Sequence, residues 1–237
     1  MNQPLKILFK FPCRGRVNMF FESLNSLDKN IRDRDNYHIS LTIDDDDFEL
    51  NNRLVLDKIS YIPNTSVSLG KSESKIHAIN RDFPKWEFDI VVCWSNDMFA
   101  TMYGFDDIMR ERMDYIINLH GDKALFHFPE PDSKEFLNVL YVATKKYYDM
   151  FGYIYHPSYK SLWCDNETME VAKMLGKYFY APIFGLYEHR NPAYSQYNIQ
   201  RDELFNYQQS LWSIDEANFN KRKKRNFDIH LLNEKTT

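Results

Sequence analysis

Two strand-like segments of this chain end in oxygen-bearing side chains. "YHISLTIDDDDF", residues 37–48, alternates apolar and polar positions and then delivers Asp44, Asp45, Asp46 and Asp47. "FDIVVCWSNDMF", residues 88–99, is a β-branched apolar run that ends in Ser95, Asn96 and Asp97. Carboxylates and hydroxyls suit hard divalent cations such as Mg²⁺ and Mn²⁺, which keep open positions for phosphate oxygens. Asp97 can therefore hold a metal whose coordination a diphosphate completes. The alternative at residues 95–97 is a strand-end turn with a helix cap. Four consecutive aspartates make poor metal geometry, because successive side chains of an extended chain point to opposite faces and at most two converge without a turn. Either one or two of them face a ligand crevice while the rest meet water, or the run is a solvated acidic turn.

Hydrophobic period sets the elements that carry these groups. Leu5 to Phe11 reads as a short buried strand stopped by Pro12, and Val17, Phe20, Phe21, Leu24 and Leu27 then fall at the spacing of a helix with one buried face. A second strand covers 37–43, and "LDKISYI", residues 56–62, is expected to be a third, ending at Pro63. A polar loop over 63–75 leads to a short helix in "SKIHAINRDF", and "FDIVVCW" is the clearest buried strand. Farther on, the spacing predicts one helix from Phe136 to Phe151 stopped by Gly152, and another in "NETMEVAKMLGK" closed by Gly176. Strand, helix and strand alternate, the signature of an α/β domain with a mainly parallel sheet whose ligands sit beyond the carboxyl ends of the strands. The expected organisation is one such domain over 1–197 and a polar helical C-terminal extension over 198–237 with the basic run "KRKKR" at 221–225.

Composition narrows the function classes. With 237 residues, 43% hydrophobic and 16% aromatic, the chain can bury a large core. A formal charge of -4 removes the general argument for nucleic-acid binding. Three cysteines, Cys13, Cys93 and Cys164, have no regular spacing and indicate neither a disulfide framework nor a cysteine zinc site, so a reducing cytoplasmic location is expected. The start "MNQPLKILFKF" lacks the apolar core of a signal peptide, and no stretch of about 18 apolar residues follows, so no transmembrane segment is expected.

In order, these parts resemble a GT-A-fold glycosyltransferase of the family-two type, over roughly residues 5–195. That family opens with a strand and a loop carrying a proline and a basic residue, matched by "FPCRGR" with Pro12, Arg14 and Arg16. Its second strand ends in an aspartate that recognises the nucleotide base, matched by Asp44 or Asp45. An Ala-x-Asn element beside the nucleotide is matched within "GKSESKIHAIN" by Lys75, Ala78 and Asn80. The DxD metal motif at the next strand end reads "SND" here, with Ser95, Asn96 and Asp97, so Ser95 stands where the first aspartate would be. "SLWCDNETMEVAKMLG" is similar to the acidic motif whose aspartate acts as catalytic base, which implies Asp165, with Glu167 second; a helix cap is the alternative. In "YEHRNPAY" the resemblance implies His189 as a return ligand to the metal or diphosphate, with Arg190 as an alternative phosphate contact.

The resemblance implies metal-assisted transfer, with inversion, of a sugar from a nucleotide-diphosphate donor of the UDP-sugar type to a hydroxyl. The base would deprotonate the acceptor while Mn²⁺ or Mg²⁺ stabilises the departing diphosphate. The acceptor is a glycan, a lipid-linked sugar, a protein or a modified nucleobase. Aromatic residues in "NLHGDKALFHFPEP" and "GYIYHPSYKSLW" suit sugar stacking or a core equally. Lys221 to Arg225 suit contact with an anionic surface or a solvated helix end. Competing classes are a catalytically silent nucleotide- or glycan-binding module of this fold, a sugar nucleotidyltransferase, and a metal-dependent nuclease built on the aspartate run.

Overall fold

The structure, a computed structural model, describes residues 3–131, 133–193, 197 and 199–235. β1 (Ile7–Cys13), β2 (Tyr37–Asp44), β3 (Thr65–Gly70), β4 (Ile90–Cys93), β6 (Leu125–His127), β7 (Val142–Thr144) and β8 (Tyr178–Tyr180) form one sheet in the order β3-β2-β1-β4-β7-β6-β8. All neighbours pair in parallel except β7, which runs antiparallel to both β4 and β6. The carboxyl ends of β1, β2, β4 and β6 therefore open onto the same edge. A separate antiparallel ribbon joins β5 (Met98–Ala100) to β9 (Tyr187–His189).

Two apolar layers sandwich the sheet. On one face, Phe9, Phe11, Ile39, Leu41 and Val92 pack against α1 (Val17–Asn30), α2 (Arg53–Ser60) and α4 (Phe105–His120). On the other, Leu8, Val91, Leu125 and Ala143 meet α3 (Lys75–Asn80), α5 (Lys145–Phe151), α6 (Cys164–Met174) and Phe219 of α8 (Trp212–Lys223). The fold is α/β with a mostly parallel seven-stranded sheet flanked by helices. α7 (Glu203–Ser210), α8 and a 3-10 segment (Asn226–Lys235) follow. No helix among the described residues is long and apolar enough to cross a membrane.

Three element expectations are corrected. Residues 56–62 are not a strand: Arg53–Ser60 is helix α2, because the Asn52 side chain accepts from Val55 N–H and caps it, and Val55 and Ile59 bury one face at helical spacing. The third strand is instead "TSVSLG", inside the expected loop; as a sheet edge with β2 as its partner it tolerates polar side chains. Residues 136–151 are not one helix. Val142–Thr144 pairs with β4, and Thr144 then caps α5 by accepting from Tyr147 N–H, while Gly152 ends that helix with φ 76°. The basic run is also interrupted, since Arg222 is buried while Lys221, Lys223, Lys224 and Arg225 are exposed.

Candidate active site

The aspartates after β2 organise the loop between β1 and α1. Asp44 and Asp46 each accept from Arg14 Nη1 at 2.8 Å, and Asp46 accepts again from Nη2 at 3.2 Å. Asp47 is buried, accepts from Gly15 N–H at 2.7 Å and also takes the N–H groups of Glu49 and Leu50. Gly15 has φ +53°, in the left-handed region that glycine tolerates best, and Arg16 follows at φ 52°. Asp45 is exposed at the rim. Repulsion within the run is thus offset by arginine and backbone donors rather than by convergence on one ion. Arg81, which the sequence reading did not single out, closes the arrangement. Its Nη2 donates to Ile43 O, Gly70 O and Asp44 Oδ1, at 3.0, 3.1 and 3.4 Å. A Cβ on Gly70 would stand 3.0 Å from Arg81 Nη1, so a larger residue there would push the guanidinium off its present position.

The segment after β4 is built as tightly. Trp94 is buried and its indole N–H donates to Ser23 Oγ of α1 at 3.1 Å; that hydroxyl in turn reaches Ser95 O and Met98 O. Ser95 Oγ donates to one oxygen of Asp97 at 2.5 Å, and the other oxygen lies 3.4 Å from His189 Nε2. The β5–β9 ribbon fixes this pairing, since Met98 is in register with His189 and Arg190 N–H donates to Asp97 O at 2.7 Å. Burial would raise the Asp97 carboxyl, but His189, Lys75 and the Ser95 hydroxyl outweigh it and hold the group well below the usual carboxylate range. Burial disfavours charge on His189 too, yet Asp97 and then Glu130 pull its pKa up. Asn96 is buried, with Nδ2 near Arg14 O and Gly15 O and an Oδ1 without a partner among the described residues.

Asp165 lies in the first turn of α6, partly buried, and accepts from Asn166 N–H at 2.9 Å. It is not the helix cap, a position held by Trp163 at φ 63° without a side-chain bond. Burial raises its carboxyl above the ordinary aspartate value against the opposing pull of Asn166 N–H, Lys75 and His189. Lys75, exposed at the start of α3, thus acts on Asp97, Asp165 and His189 together. Arg16 joins the group electrostatically through Asp97, while its guanidinium binds Asp202, the cap of α7, at 2.5 and 2.6 Å. Glu130, after β6, is a buried member that the sequence reading did not select; Ser133 N–H donates to it at 2.6 Å.

Two expected site residues are committed elsewhere. Asn80 donates to Tyr155 O at 2.6 Å and accepts from the N–H groups of Ile154 and Tyr155, so both ends of its amide hold the backbone after α5 instead of facing a nucleotide. Glu167 sits two residues beyond Asp165, on another face of α6. It is buried against Arg222 Nε and Nη2 at 2.7 and 2.8 Å and Tyr159 OH at 2.7 Å, so both its oxygens are engaged there. Pro12 does not stop the first strand as expected: it lies within β1 opposite Thr42, and the pairing runs on to Cys13 opposite Ile43.

Among the described residues no group of three or more His, Cys, Asp or Glu is placed to hold a metal by itself. Asp97 and His189 nonetheless supply an oxygen and a nitrogen donor side by side, a set compatible with Mn²⁺ when further oxygens come from a ligand.

No family model and no curated protein matches the sequence. Solved structures do share the fold. A mannosyltransferase from Pyrobaculum calidifontis, PcManGT, in complex with GDP-Man and Mn²⁺ superposes with a TM-score of 0.59 at 13% identity, covering 76% of this chain and 55% of that one. TarS of S. aureus gives 0.60 at 12% identity, covering 82% of this chain and 38% of that one. Its 1–349 fragment with UDP gives 0.57 at 14% identity, covering 78% and 60%. The chain thus spans between 38% and 60% of the length of these neighbours. The α/β architecture of this chain is one that glycosyltransferases use.

Proposed function

We propose that the chain is a glycosyltransferase that moves a sugar from a nucleotide-diphosphate donor, a UDP-sugar, to an acceptor hydroxyl with inversion. The observation that carries this reading is the Asp97–His189 pair, 3.4 Å apart after β4 and within electrostatic reach of Asp165 and Lys75, in a fold that nucleotide-sugar enzymes share. The nucleoside lies between the β1–α1 loop and the end of β2, where Pro12, Arg14, Asp44 and Asp45 form the wall and Asn96 presents its unpartnered amide oxygen. Lys75 and Arg16 supply positive charge toward the diphosphate. Asp97 and His189, with the Ser95 hydroxyl behind Asp97, would hold Mn²⁺ or Mg²⁺. When bound, that ion neutralises charge on the leaving diphosphate.

Asp165 takes the acceptor proton as the hydroxyl attacks the anomeric carbon from the face opposite the diphosphate. Burial raises its pKa, which makes its ionised form a stronger base than a solvated aspartate. The direct test is nucleotide release from UDP-glucose, UDP-N-acetylglucosamine and GDP-mannose with Mn²⁺ and candidate acceptors. Asp165→Asn is expected to lower transfer about 10²- to 10⁴-fold while nucleotide binding persists. An Asp165→Asn variant with full activity would remove the base from this scheme. The exposed cations among Lys221 to Arg225 are proposed to dock the enzyme on an anionic acceptor surface.

A further inference from the structure

Arg16 breaks a local rule. It occupies the N-cap of α1 at φ 52°, in the left-handed region that favours glycine, and its side chain makes no capping bond. The loop is held there from two sides: Asp47 accepts from Gly15 N–H at 2.7 Å, and the amide of Asn96, the residue before Asp97, lies 3.4 Å from Gly15 O. The Arg16 side chain is 14% exposed, so a ligand can reach it. Burial would lower its pKa, but Asp202 and then Asp97 hold it up.

The guanidinium is oriented by a residue 186 positions away in the chain. Asp202 takes Nε and Nη2 side-on at 2.5 and 2.6 Å. The same carboxylate caps α7 by accepting from Phe205 N–H at 2.8 Å, and Phe205 is buried, so Asp202 is itself fixed. A guanidinium carries five N–H groups, of which a side-on pair uses two. Nη1 has no partner among the described residues. With the remaining N–H of Nη2 it makes the end-on fork that donates bidentately to carboxylate or phosphate oxygens.

We propose that Asp202 is a positioning residue for the donor, holding Arg16 side-on so that its end-on fork is left for the diphosphate. The inference rests on the donor reading above and deepens it, because it makes the C-terminal extension part of that site. The charges of the pair cancel, so Asp202 contributes a direction fixed before binding rather than added field. A carboxylate that merely competed with phosphate for Arg16 would act with the opposite sign.

The test is calorimetric titration of UDP, GDP, ADP and CDP, with Mn²⁺, into the full chain, Asp202→Ser, Asp202→Asn, Arg16→Gln and the Arg16→Gln/Asp202→Ser double variant, each with its melting curve. Serine and asparagine both cap helices, so α7 keeps its start; serine is too short to reach Arg16, whereas asparagine retains one acceptor oxygen. Asp202→Ser should weaken the tightest-binding nucleotide about tenfold and Asp202→Asn less, and in the Arg16→Gln background Asp202→Ser should change nothing further. Unchanged or tighter binding in Asp202→Ser, or an equal loss with and without Arg16, would overturn the positioning role and leave the donor reading intact. Binding of no nucleotide to the unaltered chain would remove the donor reading and this inference with it.

Discussion

In the proposed transfer Asp165 must be ionised when the acceptor hydroxyl attacks, and burial has moved its protonation upward from the ordinary aspartate value. The sign follows directly: the base is lost as pH falls through that raised pKa, at a higher pH than a solvated aspartate would give. We predict a kcat/KM profile whose acid limb falls with unit slope and disappears from the residual activity of Asp165→Asn. A limb unchanged in that variant would assign the titration to another group. Asp97 was legible in the sequence because a β-branched buried run ends at it. His189 entered through the family resemblance, and its pairing depends on the β5–β9 ribbon, two three-residue strands about ninety positions apart in the chain that no local pattern announces. Arg81 was missed for the same reason, since its partners Ile43 and Asp44 are distant in sequence, and Glu130 because its influence on His189 runs across the fold. The aspartate run was legible by its place at a strand end, but that Asp44, Asp46 and Asp47 also organise Arg14 and Gly15 is visible only once β1 and β2 are seen side by side.

Helix α6 serves two sides of the molecule. It offers Asp165 to the site and anchors Glu167 on Arg222 of α8, with side chains of both partners 6% exposed. Breaking such a pair leaves an uncompensated buried charge. Glu167→Gln is therefore expected to cost about 3 kcal/mol or more in urea unfolding. A change within about 0.5 kcal/mol would show that Arg222 finds another partner. Asn80→Ala, which strips three hydrogen bonds from the Ile154–Tyr155 backbone, is expected to cost about 1–3 kcal/mol and to raise hydrogen exchange at those amides. Unchanged exchange there would contradict the anchoring role. Elements with strong apolar period, such as α1, β2 and β4, could be read directly. Helix α2 and strand β3 were exchanged because "LDKISYI" fits either period over so few residues, while "TSVSLG" has the composition of a loop and is strand by virtue of its neighbour. The helix expected over 136–151 absorbed β7 because three buried residues carry too little signal against a longer pattern.

At the scale of the whole molecule, the C-terminal helices are fastened to the sheet domain by buried groups. Asp215 of α8 is fully buried and accepts from the N–H groups of Lys160, Ser161 and Leu162 at 2.8–2.9 Å, positioning the turn that leads into α6. Asp202 meanwhile binds Arg16 beside the site. A chain ending at residue 200 would lose both and strand Glu167 without its arginine. We predict that such a fragment shows no cooperative thermal transition; a fragment that melts like the full chain would make the extension an independent appendage. PcManGT and TarS share the fold, and the chemistry proposed for this chain rests on Asp97, His189 and Asp165. The measurement that tests this most directly is calorimetric titration of UDP, GDP, ADP and CDP into the protein and into Asp97→Ala, each with and without Mn²⁺. The account predicts tight binding of one nucleotide, UDP, that requires both Mn²⁺ and Asp97. Binding of no nucleotide, or binding indifferent to metal and to Asp97, would contradict it.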